Sequence, residues 1–308
     1  MRLVFMVTGE ISEPTFADAL ASEHELVGLV TQPDRKVGRK QIVTAPRVKE
    51  LALEAGVPVI QPASVRSTEA LEQIRAWRAE VIVVMAYGQI LPQALIDLPS
   101  KAIINLHASL LPKYRGASCI QAALKNGDAQ TGWSVIHVVK KLDAGNVILQ
   151  QPLAIGEKET GGELHDRLAA AGPAACRAAL ERLAQGDAIG EVQDENLQTY
   201  APKLGREDGY LDWSKPALEL ERLIRALHPW PGTSAGMGEK RLKIFPQVEV
   251  GSGKGRAGEF LGMCEGGFEI ACGSGSLLLS AVQLEGSRRM SGGELARGHR
   301  EALEAGLK

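Results

Sequence analysis

Val81-Ile82-Val83-Val84-Met85 is an unbroken apolar run bounded by more polar residues. A strand with one wet face alternates apolar and polar side chains. A continuous run of this length instead fits a strand buried on both faces, as in a parallel sheet covered by helices. Residues 103–106 read as a second buried strand, apolar but for Asn105. Working outward, residues 3–7, 26–30 and 57–60 also read as strands. Between them lie helical patterns at 14–21, 48–55 and 68–78, with Pro14 suited to a first turn and Ser67 to an N-cap. Strand–helix alternation of this kind predicts a doubly wound, mostly parallel α/β domain.

After Gln150 the pattern changes. Residues 162–185 read as a long Ala-rich helix that Gly172-Pro173 could interrupt. Residues 186–206 have little periodicity and read as a linker, and 217–227 as a short amphipathic helix. From Lys240 onward glycine is dense and short β-like runs recur at 242–245, 268–271 and 277–279, so a small β-barrel or β-rich second domain is expected.

The 308 residues leave room for two domains, and 44% apolar with 23% charged residues supports a full core. Lys and Arg total 35 against 37 Asp and Glu, so any contact with RNA must come from local basic patches. The four cysteines, at 119, 176, 264 and 272, show no zinc or redox spacing, and reduced thiols are expected. The N-terminal apolar run is too short for a signal-peptide core. No run reaches the about 18 residues of a membrane span, so a cytoplasmic protein is expected.

Asn105-Leu106-His107-Ala108-Ser109-Leu110-Leu111-Pro112 stands at the end of an expected central strand, where open α/β sheets bind ligands. Strand alternation puts Asn105 and His107 on one face, so an amide and an imidazole address one spot. That suits acyl chemistry, in which a carbonyl oxygen gains charge and needs fixed donors. A lone His107 would read as a structural histidine; the paired Asn105 and the following loop tip the balance towards function. Asp143, in Leu142-Asp143-Ala144-Gly145, reads by spacing as a turn residue, and gains weight only as a carboxylate partner for a histidine. Six basic residues (Arg35, Lys36, Arg39, Lys40, Arg47, Lys49) follow the second strand within a loop that also holds Asp34. A solvated surface loop and a loop that grips phosphates are equal readings of it. The glycines near the N-terminus form no G-x-G-x-x-G fingerprint, no P-loop or metal motif occurs, and no metal is expected.

Together these segments resemble the formyltetrahydrofolate-dependent formyltransferase family: Asn105-x-His107, Ser109-Leu110-Leu111-Pro112 and a downstream Asp143. Thr31-Gln32-Pro33-Asp34-Arg35, Ala86-Tyr87-Gly88-Gln89-Ile90-Leu91-Pro92, Arg115-Gly116-Ala117, Tyr200-Ala201-Pro202-Lys203-Leu204 and Pro229-Trp230-Pro231 resemble its methionyl-tRNA formyltransferase branch. The resemblance spans nearly the whole chain. It implies a Rossmann-like catalytic domain (1–190), a linker (191–206) and a C-terminal OB-like barrel that binds tRNA (207–308). It implies an enzyme with 10-formyltetrahydrofolate as co-substrate, no metal, and initiator methionyl-tRNA as acceptor, acting in translation initiation as a monomer. Asn105, His107 and Asp143 would be catalytic. Tyr87, Gly88, Ile90, Leu91, Ser109, Leu110, Leu111 and Pro112 would bind folate. Arg35, Arg39, Lys40, Lys203 and Arg206 would bind tRNA. Two departures stand out. The family's Phe-x-Gly-Thr-Pro is here Phe5-Met6-Val7-Thr8-Gly9-Glu10, and Cys119 stands where proline is usual. Rival readings are a formyltransferase for a small amine, a formyltetrahydrofolate hydrolase, and a non-catalytic RNA-binding protein.

Overall fold

The computed structural model describes every residue except Arg39, and every side chain except those of Arg39 and Val37. The first 154 residues carry strands β1 (Arg2–Val7), β2 (Glu25–Val30), β3 (Arg35–Val37), β4 (Ile42–Thr44), β5 (Val59–Ile60), β6 (Val81–Met85), β7 (Ala102–His107), β8 (Gln130–His137) and β9 (Val147–Ala154). All but β3 and β4 join one sheet in the order β5-β2-β1-β6-β7-β8-β9. From β5 to β7 the strands are parallel, and β8 runs antiparallel to β7. The five residues of β6 are all buried, as an apolar run in the middle of a covered sheet requires. Each such side chain contributes about 1.5–3 kcal/mol of hydrophobic stabilisation.

The chain runs outward from β1 to β2 and β5, then returns to β6 on the other side of β1. The β1–β6 boundary is therefore the point where the winding reverses. In open α/β sheets ligands bind at such a point, outside the carboxyl ends of the strands, because the following connections leave in opposite directions. His107 is the last residue of β7, next to β6, at that same end.

The helices up to residue 185 are α1 (Glu13–Leu20), α2 (Arg47–Glu54), α3 (Thr68–Ala76), α4 (Gln93–Ile96), α5 (Cys119–Asn126) and α6 (Gly161–Gln185). Ser67 caps α3, its hydroxyl accepting from the Ala70 amide at 3.2 Å. The interruption expected at Gly172-Pro173 does not occur, and α6 runs through both residues. A proline removes one helical hydrogen bond, and here packing outweighs it. Leu168, Ala175, Cys176 and Ala179 are buried at helical spacing, and Trp133 Nε1 donates to the Leu168 carbonyl at 2.9 Å. Gly172 serves close approach: a Cβ there would lie 2.4 Å from Thr15 Oγ1.

The basic segment is likewise more ordered than the loop expected for it. Arg35–Val37 and Ile42–Thr44 pair antiparallel as a hairpin, and α2 takes up Arg47 and Lys49. The β-branched residues of 42–44 favour this pairing, although three residues are too few to register as a period.

Two compact units divide the chain. One comprises 1–116, 131–154 and 165–200; the other comprises 117–130, 155–164 and 201–308. The second unit includes α7 (Ala217–Ala226) and strands β10 (Thr233–Met237), β11 (Lys240–Ile244), β12 (Val248–Gly251), β13 (Phe260–Cys264), β14 (Gly267–Ala271), β15 (Ser276–Leu279), β16 (Ala281–Leu284) and β17 (Met290–Ser291). Helices α8 (Gly292–Gly298) and α9 (Arg300–Glu304) close the chain. Its strands form two antiparallel sheets, β10-β11-β16-β17 and β12-β15-β14-β13. Trp213, Leu220, Ile224, Leu242, Phe268 and Leu279 are buried in its core. Among the described residues no helix is long and apolar enough to cross a membrane, and no cluster of three or more His, Cys, Asp or Glu could hold a metal.

Candidate active site

The end of β7 brings together the residues expected to carry the chemistry. Asn105 pairs in register with Val84 of β6 and Ile136 of β8, so its backbone is held from both sides. Its side chain is half-buried and has no hydrogen-bond partner among the described residues. A half-buried amide with unused donors stands ready for a ligand oxygen. His107, two residues on, is buried. Its Nε2 lies 2.9 Å from the Tyr114 carbonyl. A carbonyl can only accept, so Nε2 carries a proton and donates it there. His107 Nδ1 lies 3.7 Å from Asp143 Oδ2, and the Asp143 side chain is 11% exposed. The ring thus has a carbonyl acceptor at Nε2 and a carboxylate facing Nδ1 beyond direct hydrogen-bond distance.

Asp143 does sit in a turn, with a left-handed φ of 49°, yet its carboxylate faces inward. Turn geometry and a polar role thus coexist in one residue. The Gly116 amide donates to Asp143 Oδ2 at 2.8 Å. Gly145 roots the turn: a Cβ there would lie 1.7 Å from the His137 carbonyl oxygen at the end of β8.

Ser109-Leu110-Leu111-Pro112 forms a loop locked by Ser134 of β8. The Ser134 hydroxyl donates to the Ser109 carbonyl at 2.7 Å and accepts from the Leu111 amide and Gln150 Nε2. Ser109 is fully buried, and its own hydroxyl donates to the Lys113 carbonyl, so it shapes the loop and offers no free hydroxyl. Leu111 is buried, whereas Leu110 and Pro112 are half-buried. After β6, Tyr87 turns its ring into the core beside Val4, Leu95 and Ile103. Its phenol is enclosed without a partner among the described residues, and burial pushes its pKa up to about 12. The Tyr87 carbonyl accepts from Gln32 Nε2 at 3.1 Å and from Thr8 Oγ1 at 3.4 Å. This residue supports the loop through its backbone, not its phenol. Gly88, with φ of 87°, is open on its Cα side; Ile90 is 70% exposed, and Leu91 is half-buried.

The basic residues are divided. Arg35 donates to Gln32 Oε1 at 2.7 Å, and Lys40 is exposed; Arg39 lies outside the described residues. Lys49 is paired with Asp34 at 2.8 Å and Arg47 with Glu50 at 2.6 Å. Hydrogen bonds from Gln61 and then Lys49 hold the Asp34 carboxyl below its ordinary range. Lys203 and Arg206 are exposed in the second unit.

Sequence reasoning noted Arg115 only within a family-like segment, with no role, and passed over Gln193. Both are buried, and Gln193 Oε1 accepts from Arg115 Nε and Nη2 at 3.1 and 2.8 Å. They join segments 78 residues apart, so no local pattern could reveal them. Residues 186–200, expected as linker, lie within the first unit, where Glu191 bridges Val147 and Thr199 pairs with Arg115.

Comparison with known proteins agrees with this geometry. The formyl transferase family model matches residues 1–180, and the formyl transferase C-terminal domain model matches 203–300. A methionyl-tRNA formyltransferase of Akkermansia muciniphila is 50% identical over 305 residues, covering 97% of each chain. That of Marinobacter nauticus is 42% identical over 308 residues, covering 99% of each. Among solved structures, a sugar 3N-formyl transferase has a TM-score of 0.68 at 15% identity, covering 94% of this chain and 99% of its own. HypX from Aquifex aeolicus, solved with tetrahydrofolic acid, has a TM-score of 0.64 at 17% identity, covering 98% of this chain and 47% of its own. With both family models matched in order and half of all residues shared with a full-length relative, the chain belongs to the formyl transferase family, in its methionyl-tRNA formyltransferase branch.

Proposed function

We propose that the end of β7 is the reaction centre of an enzyme that moves a formyl group from 10-formyltetrahydrofolate to the amino group of methionyl-initiator-tRNA. The observation that carries this reading is the Asp143 carboxylate 3.7 Å from the His107 ring, at the end of β7 whose alternation gives Asn105 and His107 the same face, one strand from the winding switch. The methionyl amine attacks the formyl carbon. As the new C–N bond forms, the carbonyl oxygen gains negative charge, which Asn105 and His107 stabilise as donors. Substrate entry takes the His107 Nε2 proton from the Tyr114 carbonyl, since catalytic hydrogen bonds often form only in the productive complex. The bond to the folate nitrogen breaks, and one amine proton ends on that nitrogen. Asp143 orients and polarises the imidazole and assists that proton transfer.

The folate co-substrate fits this end of the sheet. Gly88 offers open backbone, and exposed Ile90 with half-buried Leu91, Leu110 and Pro112 offer apolar contact for a flat ring. Tyr87, Ser109 and Leu111 shape that wall from behind. No step calls for a metal. Arg35, Arg39 and Lys40 of the basic segment, and Lys203 and Arg206 further along the chain, contact tRNA phosphates. Residues 1–190 form the catalytic domain, 191–206 the connection and 207–308 an OB-like barrel for tRNA. The enzyme works as a cytoplasmic monomer.

The test is acceptor choice. The protein is incubated with 10-formyltetrahydrofolate and either charged initiator tRNA or glycinamide ribonucleotide. Formylation of the methionyl-tRNA alone is expected. Formylation of the small amine alone would replace the acceptor, and hydrolysis without transfer would replace the reaction.

A further inference from the structure

We propose that Gln193 is a positioning residue for formyl transfer, acting by holding the Asp143 turn in register with His107. The proposal rests on the catalytic reading of Asp143 given above. The Asp143 turn spans the gap between β8 and β9 and is rooted at Gly145. Its own closing bond, from the Ala144 amide to the Lys141 carbonyl, is long at 3.3 Å. The further constraint comes from a distant segment. Gln193 Nε2 donates to the Asp143 carbonyl and the Gly145 carbonyl, both at 2.8 Å.

The orientation of this amide is forced. Arg115 can only donate and the two carbonyls can only accept, so Oε1 must face the guanidinium and Nε2 the turn. Each heteroatom of the Gln193 side chain thus makes two hydrogen bonds, at 6% residue exposure. Arg115 is anchored in turn by Gln198 at 2.6 Å and Glu195 at 3.0 Å. Glu195 also pairs with Lys141, at the start of the same turn. Hydrogen bonds from Arg115 and then Lys141 keep its carboxyl low.

The residue after Arg115 closes the circuit, because the Gly116 amide donates to Asp143 Oδ2. Arg115 and Gln193 therefore grip Asp143 at both ends: through Gly116 at its carboxylate and through Gln193 at its carbonyl. A shift of the turn moves the carboxylate relative to the ring nitrogen it faces. Displacement of a reacting group by about 1 Å can cost about a hundredfold in rate.

The experiment compares Gln193→Ala, Gln193→Glu, Asp143→Asn and the double variant Gln193→Ala/Asp143→Asn, with single-turnover rates for the slow members. Gln193→Glu keeps the Arg115 partnership but sets a carboxylate oxygen, which cannot donate, against the two turn carbonyls. Both Gln193 variants are expected to lose about tenfold to a hundredfold in kcat, with KM for both substrates within about twofold of the parent. Gln193→Glu gains an ion pair with Arg115 that offsets part of the lost turn bonds, so it is expected to fold with a lowered melting temperature, and it carries the test if Gln193→Ala does not fold. In the Asp143→Asn background, Gln193→Ala is expected to change kcat by less than about twofold, because the residue it serves is already disabled. Losses that multiply in the double variant, or parental turnover in Gln193→Glu, would reduce Gln193 to a structural clip. Parental turnover in Asp143→Asn would instead overturn the catalytic reading of Asp143, and the role of Gln193 with it.

Discussion

The Gly116 amide donates to Asp143 Oδ2 at 2.8 Å across 27 residues of chain. The bond joins the loop after Pro112 to the turn between β8 and β9, and leaves that oxygen 3.7 Å from His107 Nδ1. A carboxylate held by a backbone donor keeps its direction without needing a second charged side chain.

Asp143 should therefore show two separable effects. Its left-handed φ of 49° is tolerated by Asn far better than by Ala. Asp143→Asn and Asp143→Ala are both expected to lose roughly a hundredfold or more in kcat, the scale of a general acid–base contribution. Only Asp143→Ala should add about 1 kcal/mol of destabilisation. Formyl-transfer rates and thermal melts of the two variants check this. An Asp143→Asn enzyme as fast as the parent would leave Asp143 with only its turn role.

His107→Ala and Asn105→Ala are expected to lower turnover by roughly 10²–10³ each, as for removal of one oxyanion donor. Asn105 makes no side-chain hydrogen bond among the described residues, so Asn105→Ala should leave the melting temperature close to the parent's. Transfer rates with circular-dichroism melts decide it. A folded Asn105→Ala enzyme with parental kcat would remove the amide from the mechanism.

Gly145→Ala tests the root of the turn. The new Cβ would sit 1.7 Å from the His137 carbonyl oxygen, a backbone atom that cannot rotate away. A loss of about 1–3 kcal/mol is expected from overpacking, together with reduced kcat. Chemical denaturation measures the first and single-turnover kinetics the second. Unchanged stability would mean that β8 and the turn can separate at no cost.

The hairpin prediction concerns salt. A joint Arg35→Ala/Lys40→Ala change is expected to weaken use of charged tRNA at low ionic strength, and the deficit should shrink as salt rises. Lys49→Ala should act differently, because its partner is Asp34 at 2.8 Å; its main effect should be on local stability. Folate hydrolysis without tRNA should stay at the parental rate in all of them. Equal formylation by parent and double variant at low salt would make the hairpin a solvated surface.

Two carboxylates stabilise helix starts in a pH-dependent way. Glu163 accepts from the Thr160 amide and hydroxyl before α6, and Glu294 accepts from the Ser291 amide and hydroxyl before α8. These hydrogen bonds, the backbone one first, hold both carboxyls below the ordinary glutamate value of 4.5. A depressed folded value means stability that is present above 4.5 and lost as pH falls through the lowered values. A Glu163→Gln/Glu294→Gln variant should melt below the parent at neutral pH, and the two should converge as pH falls well below the ordinary glutamate value of 4.5. A gap that stays constant with pH would rule out titration of these caps.

Residues 81–85 and 103–106 were legible as buried strands because a side chain with apolar neighbours on both faces leaves a local record. Ser67 was legible as a cap for the same reason, since it acts on an amide three residues away. Asn105 and His107 were legible because strand alternation alone sets them on one face. Against this, Gly172-Pro173 left a break in the long helix open, and only the packing of α6, with Gly172 close against Thr15 far away in sequence, decided that it runs through. The basic segment misled, because a three-residue hairpin has too short a period to be read.

The sequence by itself determined the strand–helix alternation of the parallel sheet, the pairing of Asn105 with His107, and the balance of charge. Those properties depend on composition and on spacings of two to four residues. Only the tertiary structure decided that the Asp143 carboxylate turns inward, that the Tyr87 phenol is enclosed in the core, and that His107 Nε2 donates to Tyr114. It alone joined Arg115 and Gln193 to the Asp143 turn, across 78 and 50 residues. Hydrogen bonds between distant loops depend on where the sheet delivers each loop. That position follows from the summed packing of the whole core, which no short window of residues contains.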